Sequence, residues 1–258
     1  MKNAGLMRQI VHVAGICVAA MASGVAAAEE KNSGAWTYEL APLYLWGVSV
    51  DGGATVKKLP FTPSVPLSVD FKDAVKDLSG IFTVYFEGRN PRWGYYANFS
   101  YLRLTPKSDL STGGTVNIDF RNPFVEVAGL YRLGEAGRSP WWAVGGARYL
   151  GIDMTASGLP SPPLPTSSVG VKQDVIDLFG GVRFNQGINE RWGAFAQADI
   201  GAGDSKRSWS ATLYATYRVH KHAKLVGGWR WLDYKIRESS VDLDLRMSGP
   251  LLAVNFDW

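Results

Sequence analysis

Apolar and polar residues alternate with period two along most of this chain. From Trp36 to Val50, one set of alternate positions is Trp36, Tyr38, Leu40, Pro42, Tyr44, Trp46 and Val48. The other set is Thr37, Glu39, Ala41, Leu43, Leu45, Gly47 and Ser49, mixed and mostly small. The stretch from Ser208 to Val219 repeats the pattern, with Trp209, Ala211, Leu213, Ala215 and Tyr217 on one side. Between Ile176 and Phe184, Leu178, Gly180 and Val182 alternate with Asp177, Phe179, Gly181 and Arg183. Alternation of this kind predicts strands with one apolar face. Ten segments carry it, at about 36–50, 80–90, 93–105, 116–133, 140–155, 174–185, 192–203, 208–219, 224–237 and 241–258. Most exceed the roughly nine to eleven residues that a tilted strand needs to cross a bilayer. The expected class is therefore all-β, a ten-stranded antiparallel transmembrane β-barrel, with eight strands if two weak segments are demoted.

Connections sharpen this picture. Those at Pro91-Arg92, 134–139, 186–191 and 220–223 are short, whereas 51–79 and 156–173 are long and 106–115 is intermediate. Short turns on the periplasmic side and longer outer loops are the habit of outer-membrane barrels. Two turns match, Asn90-Pro-Arg-Trp-Gly94 and Asn189-Glu-Arg-Trp-Gly193, and each sets a Trp at a strand start. Gly249-Pro250 interrupts the last segment. The apolar positions there change from Val241, Leu243, Leu245 and Met247 to Leu252, Val254, Phe256 and Trp258, which predicts a bulge. Asn122-Pro123 is read in the same way. Within the long connection, Phe71, Ala74, Val75 and Leu78 recur at helical spacing over Val69–Leu78. They predict a short amphipathic helix, a candidate plug or a helix packed on the rim.

The first 28 residues have a basic start (Lys2, Arg8), an apolar run and an Ala26-Ala27-Ala28 cleavage pattern, which predicts a signal peptide ahead of a barrel domain at 29–258. The only Cys is Cys17, inside that leader, so a disulfide scaffold, a thiolate metal site and a Cys nucleophile are excluded from the rest. The 27 Lys+Arg against 23 Asp+Glu include Lys2 and Arg8, so the processed chain is nearly neutral and no nucleic-acid partner is indicated. Nine of the ten Trp gather at segment ends: Trp36, Trp93, Trp141, Trp142, Trp192 and Trp258 at one side, Trp46 and Trp209 at the other, with Trp231 toward it. That distribution suits two headgroup belts. A C-terminal Val254-Asn-Phe256-Asp-Trp258 ending resembles the signal read by the bacterial barrel-assembly machinery, expected here to act through Trp258.

The chain also resembles, over most of its processed length, a large and functionally uncharacterised family of bacterial outer-membrane β-barrel proteins, loosely porin-like. The residues that carry this are Tyr44 to Gly53, Val69-Asp-Phe71 running to Asp77-Leu78, and Glu87-Gly-Arg89 with Arg92-Trp93. Ala147-Arg-Tyr149, Asp199-Ile-Gly201, Gly227 to Tyr234 and Gly249-Pro250 continue it in order. The resemblance implies the fold and an outer-membrane location in a Gram-negative bacterium; it implies no particular activity.

Charges of both signs occupy the second faces. By parity Glu39, Glu87, Arg89, Glu126, Arg132, Arg148, Asp177, Arg183, Asp199, Arg218, Arg230, Asp242, Asp244 and Arg246 point into the lumen, where they escape the cost of facing lipid. Arg148, Arg183, Arg218 and Arg230 form the expected cationic side, with Glu39, Glu87, Asp177 and Asp199 opposite. The expected role is a narrow porin-like channel for small polar or charged solutes. The rival is a non-conducting structural or surface-interaction barrel, because about ten strands lie close to the size at which side chains fill the interior. An enzyme is not expected. Barrels of this size include proteases and lipid hydrolases, whose chemistry needs a His base near the outer face. Here His220 and His222 fall in a predicted periplasmic turn. No cofactor or metal is expected. Lys57, Lys58, Lys107, Lys172, Lys206, Arg207 and Arg237 lie in or beside outer connections, where they are candidate partners for lipopolysaccharide phosphates.

Overall fold

A computed structural model describes residues 35–56, 64–69, 78–105, 107–109, 115–161, 164–237 and 241–258. The expected signal peptide lies outside the described residues. The described chain is antiparallel β throughout: β1 (Thr37–Ala41), β2 (Tyr44–Trp46), β3 (Ser49–Val56), β4 (Ser64–Val69), β5 (Leu78–Arg89), β6 (Trp93–Leu104), β7 (Lys107–Asp109), β8 (Thr115–Arg132), β9 (Trp141–Ser161), β10 (Leu164–Gly187), β11 (Trp192–Gly203), β12 (Arg207–His220), β13 (Ala223–Arg237) and β14 (Val241–Asp257). Each long strand pairs with its sequence neighbour, and β14 closes the ring by pairing with β1, β2 and β3. Because β1, β2 and β3 share one stave, the result is a closed ten-stranded barrel, with β4 and β7 as additions. The β1–β5 and β1–β14 pairs close the seam at the turn end, which is what a sheet needs in lipid.

The stave of β1 to β3 is broken where the even alternation predicted it would be continuous. Glu39 and Ala41 point inward before Pro42, whereas Tyr44 and Trp46 point inward after it and Leu43 and Leu45 face out. Pro42 offers no N–H, and the chain slips by one residue against β14. Thr83 on β5 fills the gap. Its hydroxyl accepts from Tyr44 N at 2.8 Å and donates to Tyr44 O at 2.5 Å. Trp46 is therefore an interior residue, not a member of an outer belt. So is Trp142, 2% exposed, which lies under the Arg132 guanidinium at 4.0 Å.

Neither predicted bulge forms. Register runs unbroken from β13 to β14 through Gly249-Pro250 and from β6 to β8 through Asn122-Pro123. The Gly at 249 answers a close approach instead: a Cβ there would sit 1.5 Å from Gly47 O, and Gly47 N donates to Pro250 O at 2.7 Å. At Pro123 the carbonyl of Gly151, opposite on β9, receives the Asn122 side-chain amide at 2.7 Å in place of the missing N–H.

Most of what was expected as long outer loops is strand. Residues 51–56 and 64–69 belong to the β3–β4 hairpin on β14, and β9 and β10 run on to Ser161 and Leu164. The candidate plug helix is not supported at its ends: Val69 closes β4 and Leu78 opens β5, both as extended chain. Phe71 and Val75 lie outside the described residues. The two matched turns share one device: Asn90 Oδ1 accepts from Arg92 N and Trp93 N at 2.8 and 2.7 Å, and Asn189 Oδ1 accepts from Arg191 N and Trp192 N at 2.9 and 2.8 Å.

Outward faces divide the barrel into two tiers. Near the short turns the exterior is wholly apolar or small. On β10 it reads Phe184, Val182, Gly180, Leu178, Ile176, and on β12 Val219, Tyr217, Ala215, Leu213, Ala211, Trp209. Val219 to Trp209, at about 3.3 Å per residue and a tilt of about 40°, rises about 25 Å, the height of a lipid-facing band. Trp36, Trp93, Trp141, Trp192 and Trp258 ring its turn end, each 40–58% exposed. Beyond the band charge begins abruptly on most of the long strands, at Arg103, Arg121, Asp153, Asp174, Arg207, Asp233 and Arg246, with Asp204 just past β11.

The interior changes in the opposite sense. Within the band the buried charges all lie inside, set among the apolar and aromatic groups Leu130, Trp142, Val144, Phe179, Val226 and Leu251. In the outer tier the interior is an apolar cluster of Phe124, Leu150, Ile152, Val175, Leu232, Tyr234, Ile236, Leu245 and Met247, with Trp46, Val48 and Phe120 packed on it. Asp244 and Arg246 consequently face outward, as does Asp242 on the same even face, and not into the lumen as parity alone predicted. Leu245 and Leu252 take opposite faces of one unbroken strand because the surrounding medium changes along it.

Candidate functional site

The interior of the band is the candidate site. It is assembled by inward positions of β1, β2, β5, β6 and β8 to β14, whose fixed pleat points alternate side chains to the axis. The outermost layer is centred on Arg148. Its Nε donates to Glu126 Oε2 at 2.6 Å, and its Nη2 donates to Asp199 Oδ1 at 2.9 Å and to Ser210 Oγ at 3.3 Å. Arg230 Nη2 reaches the same Glu126 oxygen at 3.2 Å, and Tyr96 hydroxyl donates to Glu126 Oε1 at 2.8 Å. Asp199 also accepts from Ser210 Oγ at 2.7 Å. The guanidinium of Arg148 lies 4.4 Å from the Phe179 ring centre, and that of Arg230 lies 5.2 Å from both Trp46 and Phe124.

The next layer pairs Arg183 Nη1 with Glu87 Oε2 at 2.7 Å, while Arg183 Nε donates to Gln197 Oε1 at 2.8 Å. Tyr85 hydroxyl donates to Glu87, and Arg89 Nη1 donates to its second oxygen at 3.0 Å. Near the turn end Lys224 bridges Glu39 at 2.9 Å and Asp257 at 3.3 Å, and Arg218 holds Asp257 at 3.0 Å. Asp177 stands apart. It is fully buried and accepts from Ser205 N, Ser205 Oγ and Ser208 Oγ at 3.0, 2.5 and 2.6 Å.

The expected cationic and acidic sides do not exist as separate rows. Arg148 and Arg183 are 1% and 2% exposed, and each contacts carboxylates directly. Arg218 lies at the mouth, remote from the Arg148 layer in the order of contacts. Lys224, Gln197, Tyr96 and the serines at 205, 208 and 210 were missed as members. Lys224 follows from the same even parity on β13 that gives Arg230. The neutral groups carry no charge to mark them, although Tyr96 and Gln197 sit on inward positions of their strands.

Buried ions of this kind are tolerated only when fully paired, since each unpaired ion costs several kcal/mol. The arrangement therefore locks staves together and fills the bore. A cavity of about 80 Å³ remains between the Arg183 and Arg230 layers, lined also by Tyr44, Tyr85, Phe195 and Tyr214. A wider hollow of about 300 Å³ opens at the turn end beside Glu39, Arg89, His222 and Asp257. His220 and His222 lie in that turn, with His222 Nδ1 2.9 Å from Asp257 O. No group of three or more metal-ligating side chains occurs among the described residues.

In the outer tier the exterior charges are paired across strands. Arg103 and Arg121 both grip Asp119, at 2.9 and 2.6 Å, and their hydrogen bonds hold its carboxyl down at about 2. Arg237 binds both oxygens of Asp244 at 2.8 and 2.9 Å and lowers its pKa, and Arg246 bonds Asp233 at 3.3 Å.

A closed ten-stranded ring, a lipid-height apolar girdle and an ion-paired bore together define an outer-membrane-type β-barrel. No family model and no curated protein sequence matches the chain. Solved structures similar in architecture include the translocator domain of autotransporter NalP from Neisseria meningitidis, at 11% identity over 98% of each chain with a TM-score of 0.46. Outer membrane protease OmpT from Escherichia coli is similar at 10% identity over 86% of this chain and 96% of its own, with a TM-score of 0.47. Ail, the attachment invasion locus protein of Yersinia pestis, is similar at 10% identity over 87% of this chain and 99% of its own, with a TM-score of 0.36.

Proposed function

We propose that the chain is a closed barrel of the bacterial outer membrane that works from its outer, water-standing tier and does not pass solutes through its bore. One observation carries this reading: the interior is filled twice along the axis, first by the Glu87–Arg183 and Glu126–Arg148–Asp199 lattice and then by the apolar cluster around Leu232 and Ile236. Solutes would have to break buried ion pairs and then cross a dry plug.

The second reading is the narrow channel for small polar or charged solutes. It is favoured by the cavity lined by Glu126, Arg183 and Arg230 and by the hollow at the turn end. Planar-bilayer recording of refolded protein, with heat-modifiable migration on a gel as the check of folding, separates the two. The closed reading expects a silent membrane under applied voltage. Discrete conductance steps that change in Arg148→Ala or Arg183→Ala would establish the channel instead.

A further inference from the structure

We propose that Lys206, Arg207 and Lys235 form a binding site for the phosphates of a phosphorylated glycolipid, the lipid A of lipopolysaccharide. The inference rests on the reading that the outer tier stands on the external side of the membrane.

Three cationic residues adjoin along the backbone here. Lys206 N donates to Lys235 O at 2.9 Å, and Arg207 is the direct cross-strand partner of Lys235 on the outward face. Like charges set directly opposite across a ladder destabilise a sheet. Several other cations on this surface are matched with acids: Arg103 and Arg121 with Asp119, Arg246 with Asp233, Arg237 with Asp244. Among the described residues no carboxylate lies within ion-pair distance of Lys206, Arg207 or Lys235. The acids nearby are engaged. Asp204 accepts from Ile176 N at 2.9 Å, and Asp244, although opposite Lys235 in register, has both oxygens on Arg237. Lys235 acts on Asp244 only through longer-range attraction, so a repulsive pair with no carboxylate bonded to it fits an anion supplied from outside.

Height selects the anion. Trp209, two residues below Arg207 on the same face, and Trp231, below Lys235, end the apolar girdle. Their rings place the headgroup level at the trio. An anion presented at that level, with acyl chains running down the girdle, is a lipid phosphate. Guanidinium and ammonium groups together match a doubly phosphorylated headgroup through charge-assisted bonds.

The test uses the refolded full chain in detergent, titrated with diphosphoryl lipid A, monophosphoryl lipid A and phosphatidylglycerol, and read by native mass spectrometry. The variant K206A/R207A/K235A, checked for heat-modifiable migration, is expected to bind diphosphoryl lipid A about tenfold more weakly than the parent. Arg138→Ala, in a turn at the other end, is expected to bind as the parent does. Equal lipid A binding by the folded triple variant overturns the site, and phosphatidylglycerol binding as tightly as lipid A overturns the choice of ligand. A membrane-impermeant maleimide on whole cells checks the underlying reading separately. Lys206→Cys should label and Glu190→Cys should not; the reverse overturns the outward placement itself.

Discussion

The band tier and the outer tier of this barrel are built from the same ten staves, yet their charged residues sit on opposite sides of the wall. In the band Leu178, Ile200 and Leu213 face outward, at 70%, 72% and 50% exposure, while Arg148, Arg183 and Asp199 are sealed within. In the outer tier Leu232 and Ile236 are sealed within, and Arg121, Asp174 and Arg246 face outward. The strands do not rotate between tiers; the medium outside them changes from hydrocarbon to water. Ionic groups seek the inside where the outside is lipid, and apolar groups seek it where the outside is water.

Substitutions sort by tier, the largest effect first. Arg148→Ala leaves Glu126 and Asp199 buried without their shared cation and should destabilise the folded barrel by about 3–5 kcal/mol in a urea titration in lipid vesicles. Leu232→Ala opens the outer core and should cost about 2–5 kcal/mol by the same measurement, although no ion is touched. Leu178→Arg, on the lipid face below its outer edge, should cost about 1–3 kcal/mol. Ser168→Arg, on the same face of the same strand but in the outer tier, should stay within about 0.5 kcal/mol. Equal costs at 168 and 178 would erase the distinction between tiers.

The smallest effect is a pH dependence confined to the outer tier. Asp119 has a folded-state pKa near 2, below its ordinary 3.8, so its contribution is present above about pH 4 and lost as pH falls toward 2. Its side chain is 30% exposed, so solvent screening keeps that contribution modest. Asp119→Asn should flatten stability between pH 4 and 2, lowering it modestly at neutral pH and leaving it nearly unchanged near pH 2, as followed by urea titrations across that range.

Alternation made the strands, the closure and the inward placement of Glu87, Arg148, Arg183 and Asp199 legible in the sequence. Its failure at β14 is instructive. Parity says which residues share a face but not what that face meets, so the switch from Leu245 and Met247 to Leu252 and Val254 read as a bulge when it marks the membrane boundary. Pro42 is the converse case, a real slip of one residue hidden by aromatic residues on both sides of it, with Thr83 supplying the missing partner from a distant strand. The ion-pair lattice was legible as charge but not as geometry, because Arg148 meets Asp199 across 51 positions of chain. Helical spacing from Val69 to Leu78 misled at its ends because short apolar periodicities there lie inside the β4 and β5 edges.

The central claim, that one strand face passes from lipid to water between Ile176 and Asp174, is tested most directly by spin labels on β10. Cys17 lies in the predicted leader, so Leu178→Cys and Ser168→Cys can be labelled singly in the processed chain and refolded into bilayers. Collision with oxygen should dominate at 178, and collision with a water-soluble nickel chelate should dominate at 168. Labels at both positions responding alike, either both to oxygen or both to nickel, would contradict the inverted tiers.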